Sequence, residues 1–433
     1  MNAFNNIIGY DSIKQELIQI ADTLKNREVY EALGASSPRG LMLYGAPGVG
    51  KTTMADALVK ESGRKSFICR KTKGGDSFID EIVETFKRAE KDAPSLVILD
   101  DLDKFANEDD NHRDAEEYVT VQACIDDLCG KEVFVLATVN DTDKLPRSLL
   151  RPGRFDRRIE VPMPTRVDSE AIIQHYLEKK KLGTELDISL VAAMLRGRSC
   201  ATLETVVNEA GLLAGYQRSA TITQDHIVEA CLSCVFRVPS DSIRGSRTID
   251  YSTTSQESQV VWHEAGHAVV RDVLDEGSVA LVSARCQKGH TSGFVVPGFD
   301  EDSSSFDKLR KNVLVDLAGR AALDIQFGLF DMGAANDLGH AYDLIYDLVT
   351  QEAYSGLSYF TGPFRRPSNR QVENKETIVA TLMKEYYRKT RTILMANREY
   401  LEKLAGELAK KGVLVSSDIA RIRSECTIVP FTA

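Results

Sequence analysis

The chain is predicted to fold as an α/β unit of parallel strands followed by a mainly α-helical second domain. Three stretches carry that prediction. RGLMLYGAPGVGKTTMADAL, residues 39–58, reads as a short apolar strand, a glycine-rich turn and a helix. SLVILDDLD (95–103) and EVFVLATVN (132–140) are continuous apolar runs ending in acids or an amide, the pattern of strands buried on both faces of a parallel sheet. VVWHEAGHAVV (260–270) is apolar around an HExxH core, and helical patterns dominate the sequence after it.

Composition narrows the classes. With 433 residues, 43% hydrophobic and 27% charged, the chain is long enough for two or three ordinary domains. A net charge of −10 speaks against nucleic acid as a main partner, which would need a basic face. No run of about 18 apolar residues occurs, and MNAFNNIIGYDSIKQ lacks the basic start and apolar core of a signal peptide, so the expectation is a cytoplasmic protein without a membrane span. The eight cysteines are scattered. The one CxxC, Cys231 and Cys234, has no second pair and is expected to be reduced.

In the first 160 residues Gly45, Gly50, Lys51 and Thr52 match GxxxxGK[ST]. Glycines let backbone N–H groups wrap phosphates at a helix N-terminus, the lysine neutralises them, and the threonine hydroxyl meets magnesium. The expected nucleotide-binding loop is therefore Gly45, Ala46, Pro47, Gly48, Val49, Gly50, Lys51, Thr52 and Thr53. Asp100, at the end of its strand, is placed as the magnesium-side carboxylate, and Asn140, at the end of the next, to position the attacking water. In LLRPGRFDRR (149–158), Arg151 and Arg154 stand three apart in a Pro/Gly loop, suited to reach a neighbour's γ-phosphate or simply to lie in solvent.

HEAGH puts His263 and His267 one turn apart on a single helix face, where both imidazoles can meet one zinc ion. Glu264 sits beside the first ligand, placed to take a proton from a zinc-bound water. Histidines are scarce in this chain, seven in all, and the flanking valines and alanine are apolar enough to bury the helix. HTSGFVVPGF (290–299) reads as a strand broken by glycine, with an edge available to an extended peptide or to an ordinary sheet neighbour.

The phosphate loop, Asp100, Asn140 and RPGRFD follow the order and spacing of AAA+ ATPases, and with HEAGH downstream nearly the whole chain resembles FtsH-type AAA+ zinc metalloproteases. The resemblance implies an α/β AAA+ P-loop ATPase core with a small helical lid, followed by a mainly α-helical zinc metalloprotease domain. The boundaries are 1–165 for the core, 166–238 for the lid, 239–259 for a Ser/Thr-rich linker and 260–433 for the protease domain. It also implies nucleotide contacts from Ile8, Gly9 and His175, and a homo-hexameric ring in which Arg151 and Arg154 complete the neighbour's site. Asp337, in GAANDLGHAYDLIYDL (333–348), becomes the third zinc ligand, where residues alone left Asp331, Asp343 and His340 open; His290 and His340 are read as bystanders. Cofactors are one zinc per chain and ATP with magnesium, and substrates are unfolded or tagged proteins.

The chain departs from the family in its motor half. The acid after Asp100 is Asp101, where the family has a glutamate to polarise the attacking water. The pore loop aligns with KTKGGD (71–76) and has no aromatic, leaving Phe67 or Phe78 as stand-ins. The intersubunit signal falls at Cys129, Gly130 and Lys131, and keeps only its glycine. The leading expectation is an ATP-dependent zinc endopeptidase. Its alternatives are an ATP-independent peptidase in a nucleotide-stabilised ring and a non-proteolytic AAA+ scaffold.

Overall fold

A computed structural model describes residues 3–71, 76–105, 115–151, 153–183, 186–239, 248–285, 293–298, 305–329, 335–350 and 369–431. The chain divides into two compact units, Met1–Thr184 with Leu195–Ile222, and Glu185–Met194 with Thr223–Ala433.

In chain order the elements up to the junction are α1 (Asp11–Lys25), α2 (Arg27–Ala32), β1 (Gly40–Tyr44), α3 (Lys51–Ser62), β2 (Lys65–Arg70), α4 (Asp76–Lys91), β3 (Ser95–Asp100), α5 (Ala115–Asp127), β4 (Val133–Val139), β5 (Arg157–Glu160), α6 (Arg166–Leu177), α7 (Ile188–Met194), α8 (Cys200–Tyr216) and α9 (Gln224–Cys234). β1 to β5 form one parallel sheet in the order β2-β3-β4-β1-β5. β3 and β4 are buried at every position, which is why their sequences are unbroken apolar runs. α4 lays Ile82, Phe86 and Ala89 against them at helical spacing. The expectation that Phe67 or Phe78 could serve as pore aromatics fails, because both are core side chains, Phe78 packing edge-on against Phe105 with ring centroids 5.2 Å apart. Parallel pairing brings Arg70 opposite Asp100 and ends β1, β3 and β4 at one edge, where a ligand crevice forms. α6 opens on a capping box in which the Thr165 hydroxyl accepts from Asp168 N–H and the Asp168 carboxylate accepts from Thr165 N–H.

The division into units falls inside the stretch expected to be the lid. α6 and α8 belong to the first unit, α7 and α9 to the second.

The second unit continues with α10 (Gln256–Leu274), β6 (Val279–Ser283), β7 (Phe294–Pro297), α11 (Phe306–Asp316), α12 (Ala318–Phe327), α13 (Ala335–Thr350), α14 (Asn369–Ala396), α15 (Arg398–Lys411), β8 (Val413–Val415) and α16 (Ser416–Ser424). α10 is its central rod, with every residue from Val261 to Val270 buried. It starts inside the expected linker, whose Ile249 is also core and whose Tyr251 carbonyl accepts from the Trp262 indole at 2.8 Å; residues 240–247 lie outside the described set. A small antiparallel sheet, β7-β6-β8, flanks it, with β7 at an edge. At the far end of α10 the buried Asp272 carboxylate accepts from Tyr400 Oη (2.9 Å) and Arg423 Nη1 (2.7 Å), tying α15 and α16 to the rod. α11 and α12 meet at Leu317, and just before that break the Val315 carbonyl accepts from a side chain of α10. Among the described residues no helix is long and apolar enough to cross a membrane.

Candidate metal centre and nucleotide site

His263 and His267 project from one face of α10, and Asp337 reaches them from the first turn of α13. His263 Nε2 lies 3.1 Å from Asp337 Oδ2 and 3.0 Å from His267 Nε2, and His267 Nε2 lies 3.4 Å from the same carboxylate oxygen. Ligand atoms at about 2.0–2.1 Å from a tetrahedral zinc are separated by roughly 3.3 Å, so the three donors already have the spacing of a zinc face. The two rings are held differently. His267 Nδ1 donates to the Val315 carbonyl at 2.7 Å, which fixes the tautomer and aims Nε2 at the metal position. Among the described residues His263 Nδ1 is buried without a hydrogen-bond partner, and packing places its ring instead: a Cβ added to Gly319 would fall 2.5 Å from the ring.

Electrostatics agree with a cation site. Burial opposes charge on His267, but the Asp337 hydrogen bond and the charges of Glu264 and Asp337 push its pKa up to about 9. Burial likewise raises Asp337, yet hydrogen bonds from both histidines hold its carboxyl well below the usual range. A divalent ion would replace the proton these groups share. Glu264 is fully enclosed, and burial raises its carboxyl despite the neighbouring histidines, as suits a group that takes up a proton.

In the first unit, Gly45 has φ 148°, and a Cβ there would meet the Val161 carbonyl at 2.2 Å, so the loop can turn at this point only with glycine. α3 then begins at Lys51 with no side-chain cap, leaving its first N–H groups for an anion. Lys51 Nζ donates to the Gly45 carbonyl (2.8 Å), the Ala46 carbonyl (2.9 Å) and Asn140 Oδ1 (2.9 Å). Burial lowers its pKa, opposed by Asp101, Asp103 and Asp100. Asn140 Nδ2 donates in turn to Asp101 Oδ1 at 3.0 Å, so lysine, asparagine and second acid form one chain of contacts. Asp101 has φ 55° and ψ 52°, a left-handed conformation that aspartate tolerates far better than most side chains. Asp100 is buried, accepting from Thr138 Oγ1 at 2.8 Å and from Arg70 Nε at 2.7 Å. A pocket of about 110 Å³ beside the loop is lined by Ile8, Val49, Gly50, Thr53 and His175 among others, and Gly9 rests against Asp168 of α6.

Comparison with known proteins agrees with both halves. The model of the ATPase family associated with various cellular activities (AAA) matches residues 41–163, and that of peptidase family M41 matches residues 251–422. The ATP-dependent zinc metalloprotease FtsH 2 of Symbiobacterium thermophilum is 30% identical over 451 residues, spanning 97% of this chain and 74% of the relative. The chain belongs to the FtsH family. FtsH of Mycoplasma genitalium is 31% identical over 459 residues, covering 99% of this chain and 63% of its own length, and FtsH 4 of Synechocystis sp. is 30% identical over 452 residues, covering 96% and 70%. The chain thus spans less than two thirds of the Mycoplasma relative.

Within this FtsH-family chain the residues expected from sequence gather into two groups. Around the metal position stand His263, His267, Asp337 and Glu264; around the phosphate loop stand Lys51, Asp100, Asp101 and Asn140, with Ala46 part-buried and Pro47, Gly48, Thr52 and Thr53 exposed on the loop and first helical turn. The two arginines differ. Arg151 is exposed, whereas Arg154 is pinned in its own chain by a two-pronged pair with Asp126 (2.9 and 2.8 Å) and by the Ser148 carbonyl. Cys129, Gly130 and Lys131 form an exposed turn after α5. Residues 72–75 of the expected pore loop, and His290 and Asp331, lie outside the described residues. Sequence reasoning missed Arg70, Val315 and Gly319. Arg70 was legible as a cation ending a strand beside Asp100; a backbone carbonyl and a packing glycine left no such signal.

Proposed function

We propose that this chain is an ATP-dependent zinc endopeptidase that works as a homo-hexameric ring, in which ATP hydrolysis delivers unfolded polypeptide to the HEAGH sites. One observation carries the reading: three donors at zinc spacing with the enclosed Glu264 beside them, in the same chain as a phosphate loop backed by Asp100, Asp101 and Asn140. Zinc, when bound, would supply an acidified water and a Lewis acid for the peptide carbonyl. His267, aimed by Val315, and His263, set against Gly319, hold the ion with Asp337. Glu264 accepts the water proton and returns it to the leaving amine, so no covalent intermediate is needed. In the first unit Lys51 and the α3 N-terminus bind the phosphates, Asp100 faces magnesium, Asp101 and Asn140 orient the attacking water, Ile8, Gly9 and His175 meet the base side, and Arg151 reaches the neighbour's nucleotide. The setting is proposed to be cytoplasmic.

The test is cleavage of an unfolded protein by the zinc-loaded chain with ATP, with a non-hydrolysable analogue and with no nucleotide. Cleavage only with ATP, lost in Glu264→Gln at unchanged zinc content, is the expected result. Equal cleavage with the analogue would instead support a nucleotide-held ring peptidase. Full activity in Glu264→Gln would refute the assignment of the base.

A further inference from the structure

A second pair of ionisable groups lies next to the zinc donors. α13 carries Asp337 in its first turn and His340 one turn later, and at that spacing the two side chains leave the helix on the same side. α11 ends at Asp316, directly after Val315, the residue whose carbonyl orients His267. His340 Nδ1 and Asp316 Oδ2 are 2.7 Å apart. One segment therefore brings the third ligand and His340; the other brings the carbonyl that sets the second ligand and Asp316. The hydrogen bond between His340 and Asp316 closes a circuit that runs from Asp337 through α13 to His340, across to Asp316, back one residue to Val315 and on to His267.

We propose that His340 and Asp316 form a positioning clamp that fixes the distance between the Asp337 and His267 ligand segments and so sets how tightly the chain retains zinc. The inference rests on the zinc-site reading above. Its burial pattern is lopsided in a way a surface ion pair is not. The Asp316 side chain is 19% exposed and that of His340 is 62% exposed. An aspartate withdrawn from water needs a partner, and burial raises its carboxyl while His340 and, more weakly, His267 pull it down. Asp316 thus stands within electrostatic reach of the metal ligands without touching the ion. His340 is mostly exposed, so removing it takes away the hydrogen bond and little packing.

Outer partners of metal ligands typically contribute about 10–100-fold to affinity. The experiment is zinc transfer from the zinc-loaded full-length chain to a chromophoric chelator, beside the melting temperature of the zinc-free chain. His340→Ala and Asp316→Ala are expected each to speed zinc release about tenfold or more, and the double variant to be no faster than the worse single one, since both remove the same bond. His340→Asn, whose amide N–H can take the place of Nδ1–H, is expected to recover most of the retention. Wild-type release rates in His340→Ala would overturn the clamp, as would additive effects in the double variant or a fall in zinc-free melting temperature that accounts for the loss. A wild-type chain that holds no zinc would overturn the zinc-site reading along with the clamp; a zinc-holding wild type with indifferent variants would overturn the clamp alone.

Discussion

Gly319→Ala pits a backbone preference against a metal site. Gly319 lies in the first turn of α12, where alanine is favoured over glycine by about 1 kcal/mol. On propensity alone the substitution would stabilise the fold. The added Cβ, however, would sit 2.5 Å from Cε1 and Nε2 and 2.6 Å from Nδ1 of His263, and ordinary contact starts near 3.4 Å. The ring or the start of α12 must retreat by about 0.9 Å, the difference between those two distances. The tolerance on a zinc–ligand distance is only about 0.2 Å, and a misplacement near 1 Å can cost about a hundredfold in rate. Among the described residues no hydrogen bond at Nδ1 restores the ring once packing releases it. Overpacking a buried ring costs about 1–3 kcal/mol, which offsets or exceeds the propensity gain. Gly319→Ala is therefore expected to lower the melting temperature of the zinc-free chain by a few degrees at most, to lower zinc content at equal total metal, and to cut kcat/KM for peptide cleavage by about a hundredfold. Elemental analysis, thermal unfolding and steady-state cleavage read the three quantities. A Gly319→Ala chain with one zinc per subunit and wild-type kcat/KM would refute the claim that packing places His263.

Two further outcomes follow from buried charge. Arg423→Ala leaves the Asp272 carboxylate buried with the Tyr400 hydroxyl and the Gly277 N–H but no charge partner, and breaking such a pair costs about 3–5 kcal/mol, so thermal unfolding should show a large loss of stability; a shift within error would mean that water replaces the guanidinium. Arg70→Ala removes the guanidinium bound to Asp100, so if Asp100 faces magnesium as proposed, the magnesium concentration that half-saturates binding of a fluorescent ATP analogue should fall severalfold; an unchanged or higher requirement would contradict that role.

Much of this molecule was legible in its residues because the chemistry demands fixed types at fixed spacings. A phosphate loop cannot turn at Gly45 with a side chain, and two imidazoles on one ion must stand a turn apart on a helix, so both motifs survive in the one-dimensional string. Asp337 is different. It lies 70 residues beyond His267, and among several nearby acids only the fold, or kinship, selects it. His340 looked idle because its partner, Asp316, is 24 residues away on another helix. Arg154 looked like a free cation for the same reason, since its partner Asp126 comes from α5. The helix break at Leu317 was hidden because VLVDLAGRAAL has uninterrupted helical periodicity, and the contact made just before it, from a histidine on another helix to the Val315 carbonyl, leaves no trace in the string. Asp101 read as a departure from the family is, in the fold, a residue in left-handed backbone, where aspartate is at less disadvantage than glutamate.

The order in which strands enter the two sheets bears on how the protein is made. The ATPase sheet takes its last strand, β5, by Glu160, so this layer can close while most of the chain is still being synthesised. The small sheet of the second unit pairs its central strand β6 with β8, which arrives only at Val413–Val415, and the buried Asp272 waits for Arg423. At about 5–20 residues per second, the 132 residues between Ser283, the end of β6, and Val415 take roughly 7–26 s to translate. During that interval β6 lacks its β8 partner and α10 lacks the helices that cover its far end, so the nascent peptidase half is the part of the molecule that needs shielding from aggregation, and it assembles its metal site late in biosynthesis.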